Sequence, residues 1–149
     1  MYFDEKARMR FINQQTKELL GSYRRTLLRL KLSENEFWVF YALLSAEEAC
    51  SQQDIIREWS LSKQTVNTVI GNMVKQGLVT LETLPGTRNR KLIRITEAGS
   101  AYAAQKLFPI FEAEKRAYAK IPTEEAEACQ HVFEQYLHYL QEELKDGQE

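Results

Sequence analysis

Apolar residues near the start of the chain recur at steps of three and four, the spacing of an amphipathic helix. The residues with this spacing are Ile12, Leu19, Leu20, Tyr23, Leu27 and Leu30. They predict one long helix from about Asp4 to Arg29. Its first half is too polar to pack on a single small core.

Two further helices are predicted from their start signals. Ser33 followed by Glu36 has capping-box spacing, and the helix that it opens is apolar on more than one side, as a central helix would be. Ser51 followed by Asp54 repeats the signature less strictly and opens a short third helix. The residues expected to face inward from this helix are Ile55, Ile56 and Trp59.

The fourth predicted helix carries a buried stripe and leads into a hairpin. Ser62 is its cap and Gly77 ends it as the residue after the C-cap. The predicted stripe consists of Val66, Val69, Ile70, Met73 and Val74. Turn residues then separate two short apolar-branched runs, Leu78 to Leu84 and Leu92 to Thr96, which predict a β-hairpin.

The remainder of the chain is predicted to be helical. Thr96 opens a long helix through about Lys120 that is broken or bent near Pro109. Pro122 leads into a last helix with one apolar face. The residues of that face are Phe133, Tyr136, Leu137, Leu140 and Leu144.

A short helix, a tight turn, a second helix and a basic hairpin form the order of a winged helix-turn-helix. The predicted fold class is therefore mainly α with a small β-hairpin wing (α+β). A chain of 149 residues is long enough for one compact core. We expect a single domain, residues 1–149, with a winged helix-turn-helix lobe at 32–96 and a helical lobe formed by 1–31 and 97–149.

Charge is distributed unevenly along the chain. Residues 51–96 carry seven Lys and Arg against three Asp and Glu, whereas residues 97–149 carry five against eleven. A basic middle inside an acidic frame favours contact of the middle alone with a polyanion. No apolar run is long enough to cross a membrane and the first residues are charged, so a cytoplasmic protein without membrane contact is expected.

The outward face of the fourth helix carries small or amide-bearing polar residues, which can reach base edges in a major groove. The hairpin carries a basic cluster, and no acidic residue lies between Thr83 and Ile95. The sequence therefore predicts binding to double-stranded DNA. The predicted contact residues are Ser62, Lys63, Gln64, Thr65, Asn67, Thr68, Arg88, Arg90 and Lys91.

The sequence resembles the MarR family of bacterial regulators along almost its whole length. The resemblance is carried by Leu32-Ser33, Leu61-Ser62, Gly77-Leu78-Val79 and Ile95-Thr96-Glu97-Ala98-Gly99. It implies a homodimer held together by the first and last two helices, and repression at a pseudo-palindromic operator. The family wing usually carries an Asp-Arg pair. Here that pair reads Thr87-Arg88, so the Arg is kept and the Asp is lost.

Effectors of this family are often small aromatic molecules, and aromatic residues lie on the elements expected between the two lobes. The candidate effector pocket consists of Phe11, Trp38, Tyr41, Phe108 and Phe111. A large aromatic core explains the same residues, and we prefer this interpretation because aromatic residues dominate protein cores in any case.

Other chemistry has weaker support from the sequence. His131, Glu134 and His138 share one side of the last helix, but the two histidines lack the i, i+4 spacing that grips one ion and look solvated, so no metal or other cofactor is expected. Cys50 and Cys129 are interpreted as plain thiols rather than oxidant sensors. The usual catalytic motifs are absent, so no enzyme activity and no catalytic residue are expected. The alternative function is a winged-helix module that binds protein and not DNA.

Overall fold

The computed structural model describes the backbone of residues 2–146 and the side chains of residues 4–145. Within this part the chain forms seven helices and one two-stranded antiparallel sheet, which confirms the predicted fold class. The elements in chain order are α1 Tyr2–Leu30, α2 Glu34–Ser45, α3 Gln52–Trp59, α4 Lys63–Lys75, β1 Val79–Thr83, β2 Lys91–Ile95, α5 Glu97–Lys106, α6 Phe108–Tyr118 and α7 Thr123–Asp146.

The predicted start signals form real caps. Ser33, Ser51 and Ser62 each precede a helix in extended conformation, and each side chain accepts a hydrogen bond from the backbone N–H three residues on. The box at Ser51 is complete, because the Asp54 carboxylate also accepts from the Ser51 backbone N–H at 2.9 Å. Gly77 has a φ of 72° and ends α4 as predicted.

The core lies where α2 meets α3, α4 and the sheet. Phe37, Val39 and Phe40 of α2 are fully buried, as is Val66 of α4. The predicted stripe on α4 is wrong at Val74, which is 40% exposed. At 100° per residue, Val74 lies about 80° around the helix from Val66, at the rim of the stripe.

The sheet of the hairpin extends to the segment before α3. The register of β1 and β2 runs from Val79 opposite Ile95 to Thr83 opposite Lys91. A bridge pairs Ser51 with Leu92, and the Ile93 N–H donates to the Cys50 carbonyl at 2.9 Å. Strand β2 is therefore held by backbone hydrogen bonds on both of its sides.

Thr96 joins the end of α4 to the start of α5. Its hydroxyl donates to the Gly77 carbonyl at 2.6 Å and accepts from the Gly99 N–H at 3.0 Å. Gly99 lies against the Leu78 carbonyl, in a position where a Cβ atom would overlap that oxygen. The motif that ends in Gly99 therefore serves close packing of a helix against the base of the hairpin.

The helix predicted from Thr96 to about Lys120 is two helices, because the chain is interrupted at Leu107. Pro109 lies in the first turn of α6, where its missing N–H has no intrahelical partner to lose. The proline therefore follows the break and does not bend a continuous helix.

The chain divides into two compact units, residues 1–108 and residues 109–149. The first unit contains α1 to α5 and the hairpin. The second contains α7, on which Phe133, Leu137 and Leu144 are 51%, 47% and 63% exposed. No helix of the described residues is both long and apolar enough to cross a membrane.

Candidate nucleic-acid interface

The N-terminal half of α4 presents polar side chains to solvent. Lys63, Gln64, Asn67 and Thr68 are all exposed, and none makes a side-chain hydrogen bond to another described residue. Ser62 and Thr65 are engaged instead in starting the helix: the Ser62 hydroxyl accepts from the Thr65 N–H at 3.0 Å and donates to the Thr65 hydroxyl at 2.7 Å. The donors and acceptors of the other four residues are therefore available to an external partner.

A shallow groove runs between this part of α4 and the start of α2. It is lined by Asn35, Gln64, Thr65, Thr68 and Val69. Asn35 was not among the sequence-predicted contact residues. Asn35 lies in the first turn of a core helix, and no sequence pattern marks it as a contact residue. Only the packing of α2 on α4 brings its amide beside Gln64 and Thr68.

Two acidic residues flank Asn35, and both are engaged by other side chains. Glu34 accepts from the Arg24 guanidinium at 3.4 Å. Glu36 accepts from the Tyr102 hydroxyl at 2.8 Å, and burial together with this carboxylate raises the pKa of Tyr102 to about 12. The Tyr102 phenol therefore stays protonated as the donor to Glu36.

The tip of the hairpin is basic and closed by its own backbone. Gly86 has a φ of 83°, and the Thr87 hydroxyl donates to the Leu84 carbonyl at 3.0 Å. Thr87, which stands where the MarR pattern has Asp, thus supports the turn without an ion pair. Arg88 and Lys91 are exposed, and neither side chain forms a hydrogen bond or ion pair with any residue in the described range.

Arg90, by contrast, reaches from the hairpin to α3. Its Nη2 atom lies 3.0 and 3.1 Å from the two carboxylate oxygens of Asp54. Hydrogen bonds from Ser51, first from its backbone N–H, together with Arg90, lower the pKa of Asp54 to about 2. Asp54 and Arg90 are 36 positions apart, so this pair could not be predicted from local spacing.

The candidate effector residues are only partly brought together. The rings of Trp38 and Tyr41 are 5.6 Å apart, and both pack on Trp59, at 6.3 and 5.4 Å respectively. Phe11 is 64% exposed and contacts no aromatic ring of the described part of the chain, so it lies outside this cluster. Phe108, at 47% exposure, ends the first unit, and Phe111 belongs to the second.

The candidate metal ligands lie exposed on α7. Glu134 accepts from the Gln130 amide at 3.0 Å, and His138 lies 3.5 Å from Glu142. Over residues 4–145, no group of three or more His, Cys, Asp or Glu residues is arranged to hold a metal ion. His131 is therefore related to Glu134 and His138 by its spacing in the sequence and not by a shared metal-binding arrangement.

The two cysteines differ in environment. Burial, and then the nearby carboxylates of Asp54 and Glu58, raise the pKa of the Cys50 thiol. Cys129 is exposed on α7. A raised pKa keeps Cys50 in the unreactive thiol form, which agrees with its interpretation as a plain thiol.

The short α3, the turn to α4 with its exposed polar end, and the basic hairpin define a winged helix-turn-helix protein. Residues 30–88 match the model of the MarR family. This match and the fold confirm the resemblance seen in the sequence: the chain is similar to transcriptional regulators of the MarR family. A search of curated proteins found no match.

Solved structures of MarR regulators share the fold over most of the chain. The MarR family regulator NMB1585 from Neisseria meningitidis is 22% identical, with a TM-score of 0.82 over 95% of this chain and 99% of that chain. The MepR–DNA complex from S. aureus is 17% identical, with a TM-score of 0.65 over 87% and 95%. PcaV from Streptomyces coelicolor, in complex with its natural ligand, is 17% identical, with a TM-score of 0.59 over 87% and 91%.

Proposed function

We propose that the protein is a sequence-specific double-stranded DNA-binding repressor that binds a pseudo-palindromic operator as a homodimer. The observation that carries the proposal is the exposed, acid-free face at the start of α4, which belongs to the same unit as the acid-free basic tip of the hairpin. The DNA complex of the structurally similar MepR supports it.

We propose different tasks for α4 and for the hairpin. Gln64 and Thr68 lie one turn apart near the N-terminus of α4, where amide and hydroxyl groups can meet base edges in a major groove. Arg88 lies at the end of a hairpin, whose reach is to phosphates or to the narrow minor groove. We therefore assign sequence preference to α4 and general affinity to the hairpin.

We propose a homodimer because α1 and α7 expose large apolar side chains in the single chain, and a stable soluble protein covers such a surface. On α7 this surface includes Val132, Phe133 and Leu144, and on α1 it includes Phe11 and Leu28. Dimerisation would present two α4 helices to half-sites about one DNA turn apart, which is why the operator is expected to be pseudo-palindromic.

The decisive experiment selects random duplexes on the purified protein, sequences those retained, and then titrates variants against the selected operator and a scrambled duplex at one salt concentration. Gln64→Ala should weaken operator binding by about 1 to 3 kcal/mol per half-site and hardly change scrambled binding. Arg88→Ala should weaken both duplexes by similar factors. The control is Gln135→Ala, an exposed glutamine of α7.

The competing function is a winged-helix module that binds protein. It predicts that no duplex is retained and that the affinity for DNA does not depend on salt. If Gln64→Ala lowered both affinities equally, α4 would be an electrostatic anchor and the assignment of base readout would be wrong.

We also propose that a small aromatic effector controls DNA binding through the cluster of Trp38, Tyr41 and Trp59, all of which are only partly buried. The complex of PcaV with its natural ligand supports ligand control in this fold. Both tryptophans of the chain lie in the cluster, so titration with 4-hydroxybenzoate should change intrinsic fluorescence and release the operator. Unchanged fluorescence and DNA affinity would reject this probe as an effector.

A further inference from the structure

We propose that Asp54 is a positioning residue for the wing: by binding Arg90 it fixes the hairpin on α3, so that Arg88 and Lys91 face the DNA. In this arrangement the Arg90 guanidinium binds a carboxylate of the same chain and does not contact phosphate. The sequence predicted instead that Arg90 contacts DNA. The inference rests on the proposed DNA-binding function for its consequence, although the attachment of the wing can be tested without DNA.

The Asp54 carboxylate is held in a defined place before Arg90 reaches it. The residue is 9% exposed, and its Oδ2 atom accepts both from the Ser51 N–H and from the Ser51 hydroxyl, each at 2.9 Å. These bonds belong to the capping box that begins α3. A guanidinium bound to this carboxylate is therefore located relative to α3 and, through the short turn that follows, relative to α4.

Arg90 is attached to the hairpin at the point where an anchor has most effect. The paired strands end at Thr83 and Lys91, and the Leu84 N–H donates to the Arg90 carbonyl at 3.0 Å just beyond them. The backbone bonds from Cys50 and Ser51 hold β2 at Leu92 and Ile93, within the paired strands, and do not reach the residues beyond Lys91. Asp54 therefore ties down the end of the hairpin next to the tip.

The direction in which one substitution changes the affinity for DNA distinguishes bracing of the wing from direct contact between Arg90 and DNA. Asp54→Asn removes a negative charge and frees Arg90, which by charge alone would strengthen binding to a polyanion. If Asp54 braces the wing, the same substitution weakens binding, because Arg88 and Lys91 are no longer held in position. Asn keeps a side-chain oxygen that can accept from the Ser51 N–H, so the cap of α3 is largely preserved.

The experiment compares the full-length chain with Asp54→Asn, Arg90→Gln and the double variant. Arg57→Gln is the matched control, because the Arg57 guanidinium also binds the Asp54 Oδ1 atom at 3.0 Å but lies on α3 itself and not on the hairpin. Two properties are measured: amide hydrogen exchange of residues 84–91 in the free protein, and affinity for the selected operator at several salt concentrations.

Bracing predicts faster exchange at residues 84–91 in both single variants and little change in Arg57→Gln. Each single variant should bind the operator on the order of tenfold more weakly, and the double variant should be no weaker than the worse single one. The slope of log affinity against log salt should stay unchanged in Arg90→Gln, whereas Arg88→Gln should reduce it by roughly one unit per subunit.

Three results would overturn the inference: unchanged exchange at residues 84–91, tighter operator binding by Asp54→Asn, or a salt slope reduced in Arg90→Gln as much as in Arg88→Gln. The last two would mean that Arg90 binds phosphate directly. If the unaltered protein bound no duplex, the proposed function would fail, and the exchange measurement alone would still decide whether Asp54 holds the wing.

Discussion

At the scale of single residues, Gly99 shows how closely α5 approaches the end of α4. A Cβ atom there would overlap the Leu78 carbonyl oxygen and lie 2.9 Å from Cγ2 of Ile95. The obstacle on one side is backbone, which cannot rotate away as the end of a flexible side chain can. The junction of α4, the hairpin and α5 therefore depends on the absence of a side chain at this position.

Gly99→Ala should lower the free energy of unfolding by about 2 kcal/mol or more, because the overlap must be relieved by moving α5 or the base of the hairpin. Gly71→Ala is the control: nothing lies within 4 Å of its Cβ position, and alanine in the middle of α4 should raise stability by up to about 1 kcal/mol. Urea unfolding of both variants measures this difference. Equal effects would show that α5 does not pack as closely as described.

Asp54 makes stability depend on pH in the acid range. Its pKa is lowered from 3.8 to about 2 in the folded chain, so the carboxylate form stabilises the fold above about pH 4, and this contribution is lost as the pH falls from 4 to 2. Asp54→Asn should cost roughly 2 kcal/mol at pH 7 and much less at pH 2.

Urea unfolding across this pH range measures the effect, with Glu58→Gln as the control. Glu58 is an exposed carboxylate of the same helix, and its loss should matter little at any pH. A difference between Asp54→Asn and the unaltered chain that stayed constant down to pH 2 would contradict the assigned pKa.

At the scale of elements, the helices and strands that could be predicted were those marked by residues close together in the sequence. The caps at Ser33, Ser51 and Ser62 were predictable because each depends on residues three positions apart, and the hairpin because turn residues separate its strands. The predicted break near Pro109 lies at Leu107, just before the proline, because proline is tolerated in the first turn of a new helix.

Thr96 follows β2 and links the end of α4 to the start of α5. Its hydroxyl should therefore stabilise the fold more than the hydroxyl of an ordinary helix cap does. Thr96→Val removes the donor to the Gly77 carbonyl and the acceptor for the Gly99 N–H, and should lower the free energy of unfolding by about 1 to 2 kcal/mol. Thr96→Ser keeps both bonds and should stay within about 0.5 kcal/mol of the unaltered chain. Thermal unfolding would contradict the role of the hydroxyl if both variants were equally destabilised.

At the scale of the whole molecule, sequence reasoning was limited by contacts between distant positions. The sequence predicted that Val74 would be buried, yet this residue lies at the rim of its stripe. The apolar face of α7, which the resemblance assigns to a dimer interface, is largely exposed in a single chain. The exposure of the candidate DNA contacts on α4 could be predicted, because polar residues face outward on a helix whose apolar stripe marks its buried side. Asn35 and the pairing of Arg90 with Asp54 were missed because they arise only from tertiary packing.

The exposed apolar face of α7 predicts that the protein is a stable dimer, which light scattering should show as about twice 17.4 kDa. Leu137→Glu should shift the mass toward that of one chain, because a charge would enter the proposed interface. Gln135→Glu is the control, since Gln135 lies about 160° around the helix from Leu137. A monomer at micromolar concentration in the unaltered chain would reject this proposal.

The ion pair between α3 and the hairpin also bears on how far the wing can be treated as an exchangeable module. A chimera that received the hairpin of another regulator, without an arginine at position 90, would leave the nearly buried Asp54 short of a cation. Conversely, this hairpin grafted onto a scaffold with an uncharged residue at position 54 would lose its anchor. Designs that transfer DNA preference between relatives should therefore transfer residues 54 and 90 together as a pair.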